Sequence, residues 1–193
     1  MTKKKLFIPI LIGGIIALFA FFTVSWMNNS YDKAVGLQEE VDAQWGNVQG
    51  AYQRRADLIP NLVATVKGAA ENEKTILTQV TQARAGIVNA RTPKDMELMG
   101  KKINTAINLA FEAYPEIRST QNFSDLQAQL EGTENRINVA RRRYNESVKK
   151  YNSFIRGKFR AYALRTFGSP DEFKTREMFQ AKASAQDAPS VKF

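Results

Sequence analysis

From Leu6 to Val24 no charge interrupts a run made almost entirely of Leu, Ile, Phe, Ala and Gly. As a helix, a run of that length spans a hydrocarbon core of roughly 30 Å, which predicts a transmembrane helix over residues 6–27. Trp26 follows at the depth of an aromatic belt, and Asn28, Asn29 and Ser30 mark the return to water. The alternative is a cleaved signal peptide. The run is longer than the ~7 to 15 residues of a signal-peptide core, and Thr23 and Ser25 make a poor cleavage site.

Beyond this segment apolar residues recur every three or four positions: Val41, Trp45, Val48, Tyr52, Ile59, Leu62, Val66, then Leu77 and Val80. This is the period of an amphipathic helix. Pro60 removes one backbone donor, so the pattern predicts either a kinked long helix or two helices meeting at Ile59. Thr92, Pro93 and Asp95 have the order of an N-cap, a first-turn proline and a first-turn acid. The preceding helix should therefore stop near Arg91. Met96, Met99, Ile103, Ile107 and Phe111 form the next stripe, which ends before Pro115.

Ser124 and Gln127 have capping-box spacing, ahead of a last stripe of Leu126, Leu130, Ile137, Tyr144, Val148, Tyr151 and Ile155. No strand-like alternation appears. The predicted class is all-α: the N-terminal transmembrane helix, then an elongated antiparallel helical bundle of three to four long helices over residues 31–167. Residues 168–193 are expected to form an extended C-terminal segment and, from Gln180 on, a mobile tail.

Several charges fall on the apolar faces. Advancing roughly 100° per residue from Tyr52 places Arg55 inward, with Arg54, Asp57 and Asn61 opposite. Carried across Pro60, the same register turns Glu73 and Arg84 inward, and in the last helix Arg141 lies beside Ile137 and Tyr144. Buried charges are costly unless paired and hydrogen-bonded. Three readings follow: long side chains at the stripe edge reaching water, an internal polar network, or a polar groove for a ligand. In the network, Arg55 would join Glu134, and Glu73 would join Arg141 or Arg84.

Two further patterns bear on membranes. Arg156, Lys158, Phe159, Arg160, Tyr162, Arg165 and Phe167 alternate basic and aromatic groups, fitting base stacking, contact with anionic lipid or simple closure of the bundle's end. In the apolar run, Gly13, Gly14, Ala17 and Ala20 would allow two such helices close approach.

Composition then narrows the chemistry. The chain has no cysteine and no histidine, which excludes thiolate nucleophiles, Ser-His-Asp triads, zinc fingers and histidine-ligated metals. No single face gathers two carboxylates for acid–base work. The expectation is a non-enzyme without cofactor or metal. The net charge of +9 includes Lys3, Lys4 and Lys5, leaving 25 basic against 19 acidic residues beyond them, a net +6. Nucleic acid and anionic lipid both suit such a surface, and the apolar segment selects lipid. The three lysines hold residues 1–5 in the cytoplasm and the bundle outward.

The stretch Arg54 to Val63, RRADLIPNLV, followed by Val66, Lys67 and Gly68, resembles the signature of the LemA family. Ala83 and Arg84 match that family's "AR" pair. Ala140, Arg141, Arg142, Tyr144, Asn145, Val148, Tyr151 and Asn152 match its "ARRxYN…V…YN" helix, so the resemblance runs from about Tyr31 to Phe179. Ala69 and Asn72 replace the family's Tyr and His after the glycine, and Arg160 replaces the proline of its "FP" pair, so no histidine-dependent role carries over. The resemblance implies a single-pass cell-membrane protein with a long helical bundle, and an association with membrane proteases or signalling.

The expected function is a non-enzymatic scaffold at the membrane surface, contacting lipid and forming a homo-oligomer. Trp45 and Tyr52 would leave apolar surface for a neighbouring copy. The alternative is an adaptor of a membrane protease or signalling system, which needs a different partner.

Overall fold

The computed structural model describes residues 3–65, 70–113, 121–169 and 171–180. Every regular element among them is a helix: α1 (Lys3–Thr65), α2 (Ala70–Asn89), α3 (Pro93–Ala113), α4 (Gln121–Ile155) and α5 (Lys158–Phe167). The all-α class read from periodicity is the fold. The tail expected after Gln180 lies outside the described residues.

Helix α1 carries the apolar segment and the first bundle stripe without a break. Nothing between Ala20 and Val35 is a glycine or proline. The hydroxyls of Thr23 and Ser30 turn back onto their own helix, donating to the carbonyls of Phe19 (2.7 Å) and Trp26 (2.8 Å). Pro60 also lies inside α1, so one continuous helix is found where the sequence left two alternatives. Ala56 and Ile59, flanking the missing bond, are both buried, and that packing holds the helix through it.

The chain divides into two compact units, residues 1–41 with 149–176, and residues 42–148 with 177–193. In the second unit the core is built from Val48, Tyr52 and Ile59 of α1, Ile76, Val80 and Ile87 of α2, Met96 and Ile103 of α3, and Ile137, Tyr144 and Val148 of α4. Leu77, expected inward, is 39% exposed instead. Helix α2 is a separate element, so a register counted through from α1 does not apply to it. Ser124 and Gln127 likewise do not start α4, which already begins at Gln121.

Helices α2 and α3 pack on one another through the short link at residues 90–92. The last turn of α2 contains no basic residue, and its open carbonyls are met from α1. Gln49 Nε2 donates to the Ile87 and Val88 carbonyls (3.1 and 3.3 Å), and Trp45 Nε1 to that of Ala90 (3.3 Å). Helix α1 thus caps α2 with side chains.

In the first unit Met27, Ala34 and Val41 of α1 join Tyr151, Phe154 and Ile155 of α4 and Ala163 and Leu164 of α5 in the core. Glu172 organises the turn after α5. It accepts from Tyr31 Oη (2.6 Å) and from the Ser169 amide (3.0 Å), while its own amide donates to the Ser169 carbonyl (3.0 Å). Its carboxylate, as acceptor of that bond, raises the Tyr31 pKa above the usual value. Gly168 is required beside it, because a Cβ there would lie 2.6 Å from Glu172 Oε2 and 2.9 Å from the Leu164 carbonyl oxygen. Asn152 closes the unit by pairing both ways with the backbone of Arg176, at 2.8 and 2.9 Å.

The predicted start of α3 is found as drawn. The Asp95 amide donates to Thr92 Oγ1 (3.2 Å), and the Thr92 hydroxyl and amide donate to Asp95 Oδ2 (2.7 and 3.2 Å), a reciprocal cap. Those bonds, led by the Thr92 hydroxyl, hold the Asp95 carboxyl below its ordinary pKa. A depressed folded-state pKa contributes stability above the ordinary carboxylate range that disappears as pH falls through the depressed value. Thr92→Ala is expected to lower the melting temperature by roughly 2–4 °C at neutral pH. That difference should shrink on acidification, and melts at neutral and strongly acidic pH check it.

Candidate functional site

Two contacts define how α1 meets α4 in the second unit. The Trp45 ring lies 5.1 Å from that of Tyr144, and Arg55 Nη1 pairs with Glu134 Oε2. Ten residues onward along α1 is ten residues back along α4, so the helices run antiparallel. Helix α3 packs nearby, and a cavity of about 390 Å³ remains, lined by Tyr52, Arg55, Glu97, Lys101, Glu134 and Arg141 among others.

The sequence-predicted charges fall into this arrangement unevenly. Arg55 bonds Glu134 as the pattern proposed. Arg141 takes Glu97 of α3 (2.6 Å), where Glu73 was the expected partner; the side chain of Glu73 lies outside the described residues. The side chains of Arg55 and Arg141 are each 14% exposed, while their carboxylates remain about 40% open. Arg84, expected inward, is on the surface at 44% exposure and pairs with Asp57 (2.6 Å). The buried face of α2 runs through Val80, Ala83 and Ile87, which turns Arg84 outward.

Tyr52 forms one wall of the cavity. Burial raises its phenol pKa above the usual value against the opposing field of Arg141, so the group is a neutral hydroxyl near pH 7. Its ring lies directly over Gly100, where an added Cβ would stand 2.7 Å from a ring carbon. The cavity therefore offers guanidinium, ammonium and carboxylate groups around a neutral aromatic wall. Among the described residues no cluster of three metal-ligating groups exists.

Next to the cavity, residues 177–180 lie along α4 without regular secondary structure. Asn145 pairs both ways with the backbone of Phe179: Nδ2 donates to the carbonyl (2.9 Å) and the amide donates to Oδ1 (2.8 Å). Tyr144 Oη donates to the Glu177 carbonyl (3.1 Å), and Arg141 Nη2 donates to that of Gln180 (3.3 Å). These bonds read only the backbone. The one buried side chain is Phe179, stacked on Trp45 at 5.9 Å and 18°, edge-on to Tyr144, and beneath the Arg141 guanidinium at 4.6 Å. Trp45 and Tyr52 consequently do not present the apolar surface expected for a neighbour. Phe179 covers the first, and the second is 4% exposed.

Sequence reasoning missed Glu97, Phe179 and the work of the asparagines. The signal was present in the two Tyr-Asn pairs, Tyr144–Asn145 and Tyr151–Asn152, seven residues apart and hence on one helix face. In each unit the asparagine of such a pair binds a backbone segment.

The remaining predicted residues lie in the first unit. On α5, Ala163 and Leu164 are buried, while Lys158, Arg160 and Arg165, like Arg156 in the turn before the helix, are exposed, together with Phe159 (81%) and Tyr162 (71%). Arg160 covers the Phe154 ring at 4.5 Å. Gly13, Gly14, Ala17 and Ala20 sit on the exposed part of α1, and at either glycine nothing else comes within 4 Å of an added Cβ.

These features define an all-α protein with a long apolar N-terminal helix, a charged interhelical cavity and an asparagine-held C-terminal segment. The family model described as LemA family matches residues 44–193, and the chain belongs to that family. It is similar to Protein LemA of Metamycoplasma hominis, with 24% identity over 122 residues, 61% of this chain. The matched stretch spans 56% of that relative.

Replacing Arg141 by Ala removes the Glu97 pair, the Gln180 bond and the cover over Phe179. Glu97 can still reach water, so the expected loss is about 2–3 kcal/mol, below that of a fully buried pair. Arg84→Ala, at the surface, is expected to cost under ~1 kcal/mol. Gly100→Ala, which forces the Tyr52 ring aside, should cost about 1–3 kcal/mol. Denaturant unfolding of the three variants beside the unaltered chain measures all three.

Proposed function

We propose that this chain is a single-pass, membrane-anchored, non-enzymatic interaction protein that self-assembles at the membrane surface. One observation carries the reading. Eleven large apolar side chains from Ile10 to Trp26 are each at least 45% exposed on all sides of α1. Burying such a side chain is worth roughly 1.5–3 kcal/mol, so water is a poor environment for this stretch and lipid a good one. The segment is the one described helix long and apolar enough to cross a membrane.

The exposed Phe159 and Tyr162, set among Lys158, Arg156 and Arg165, suit an interfacial contact with anionic headgroups. Lys3 to Lys5 favour a cytoplasmic N-terminus with the bundle outside. Self-assembly is supported by the open Gly13/Ala17 face of the anchor, and the net positive charge of the bundle opposes it. Association should therefore strengthen with salt.

Two measurements test the reading. Protein that stays in the membrane pellet after alkaline carbonate washing, with protease added outside spheroplasts digesting the bundle and sparing the N-terminus, is the expected result. Release by carbonate removes the anchor, and protection of the bundle reverses the orientation. Light scattering in mild detergent at low and high salt should show a discrete homo-oligomer. Single chains under both conditions would replace the scaffold with the adaptor reading.

A further inference from the structure

On another side of the α1–α4 pair lies an open groove of about 290 Å³. Its charged lining is all of one sign: Arg54 from α1, and Arg136 and Arg143 from α4. Ala51 and Ala140, 7% and 8% exposed, are part of the lining, and their short side chains leave the depression between the helices. Among the described residues no carboxylate oxygen comes within 4.0 Å of any of the three guanidiniums. Asp57 and Glu134, on the same stretches of α1 and α4, are committed to Arg84 and Arg55.

The antiparallel register places Arg54 opposite Arg136 at one end. Arg143 stands two turns away, about 10.5 Å along α4, with the amides of Gln44 and Asn47 opposite it on α1. Asn47 Nδ2 donates one hydrogen to Gln44 Oε1 (3.2 Å), which orients the Gln44 amide and leaves its nitrogen as a donor. A groove with cations at both ends and no acid between them repels cations and draws in anions. It suits an anion longer than one phosphate.

We infer that this groove binds a ligand carrying successive phosphate-type oxyanions, with Arg54 and Arg136 holding one end and Arg143 the other. The guanidinium fork matches phosphate oxygens in pairs, and bringing the anion in relieves the mutual repulsion of three unpaired cations. The oxyanions have two sources, a soluble phosphate chain or the headgroup of an anionic phospholipid.

The test uses the full chain in a neutral detergent, titrated calorimetrically with inorganic tripolyphosphate, and separately with short-chain phosphatidylglycerol. Arg54→Gln with Arg143→Gln is compared with Lys94→Gln with Lys102→Gln, which removes the same charge from exposed positions of α3. All four positions are exposed, and unchanged helical circular dichroism confirms that each variant folds. The expected result is saturable binding of one ligand per chain, weakened at least ~10-fold by the arginine pair and under ~3-fold by the lysine pair. Arginine-dependent binding of tripolyphosphate alone assigns a soluble source. Arginine-dependent binding of the lipid as well, displaced by tripolyphosphate, assigns the headgroup. Equal weakening by the two pairs, or no saturable binding of either probe, overturns the inference.

Discussion

Arginines set on the apolar faces of helices must find partners, and this requirement orders the second unit. Arg55 and Arg141 lie at positions their helices turn toward the interior, and each is largely withdrawn from water. An uncompensated charge there is costly, so α1 is held to α4 where Arg55 meets Glu134, and α4 to α3 where Arg141 meets Glu97. Sliding either pair of helices out of register would draw that pair's guanidinium away from its carboxylate. Aliphatic stripes tolerate such a slip far better, since one apolar contact replaces another. The charges therefore specify the register that the apolar residues alone leave loose.

From that register the other features follow. Because α1 and α4 run antiparallel with Trp45 against Tyr144, the ring of Phe179 finds two aromatic neighbours and a guanidinium on one surface. Because Arg55 and Arg141 turn to one side of the helix pair, Arg54, Arg136 and Arg143 are left on another without acids. One set of arginines is neutralised within the fold, and the other is available to a ligand. Adjacent residues in the RR and ARRR runs thus face opposite chemistry, as the 100° step per residue requires.

The C-terminal segment shows a different economy of design. Asparagine side chains imitate a neighbouring strand, each offering one donor and one acceptor to an extended backbone. Such bonds accept almost any residue in the segment, and only Phe179 is selected by its side chain. The same arrangement recurs in the first unit, between Asn152 and the backbone of Arg176.

The sequence alone determined the helical class, the long apolar N-terminal segment, the Thr92–Asp95 cap, and the inward facing of Arg55 and Arg141. Each is a property of one helix or one turn, where spacing and local hydrogen bonding suffice. Arg84 and Leu77 were misplaced by a register carried from one helix into the next, and a break in the helix resets the phase. The partner of Arg141 and the burial of Phe179 were decided only by tertiary structure. Periodicity says which face of a helix is covered, and the element covering it depends on contacts across 44 residues for Glu97 and Arg141. For Asn145 and Phe179 the separation is 34 residues, and no local pattern encodes it.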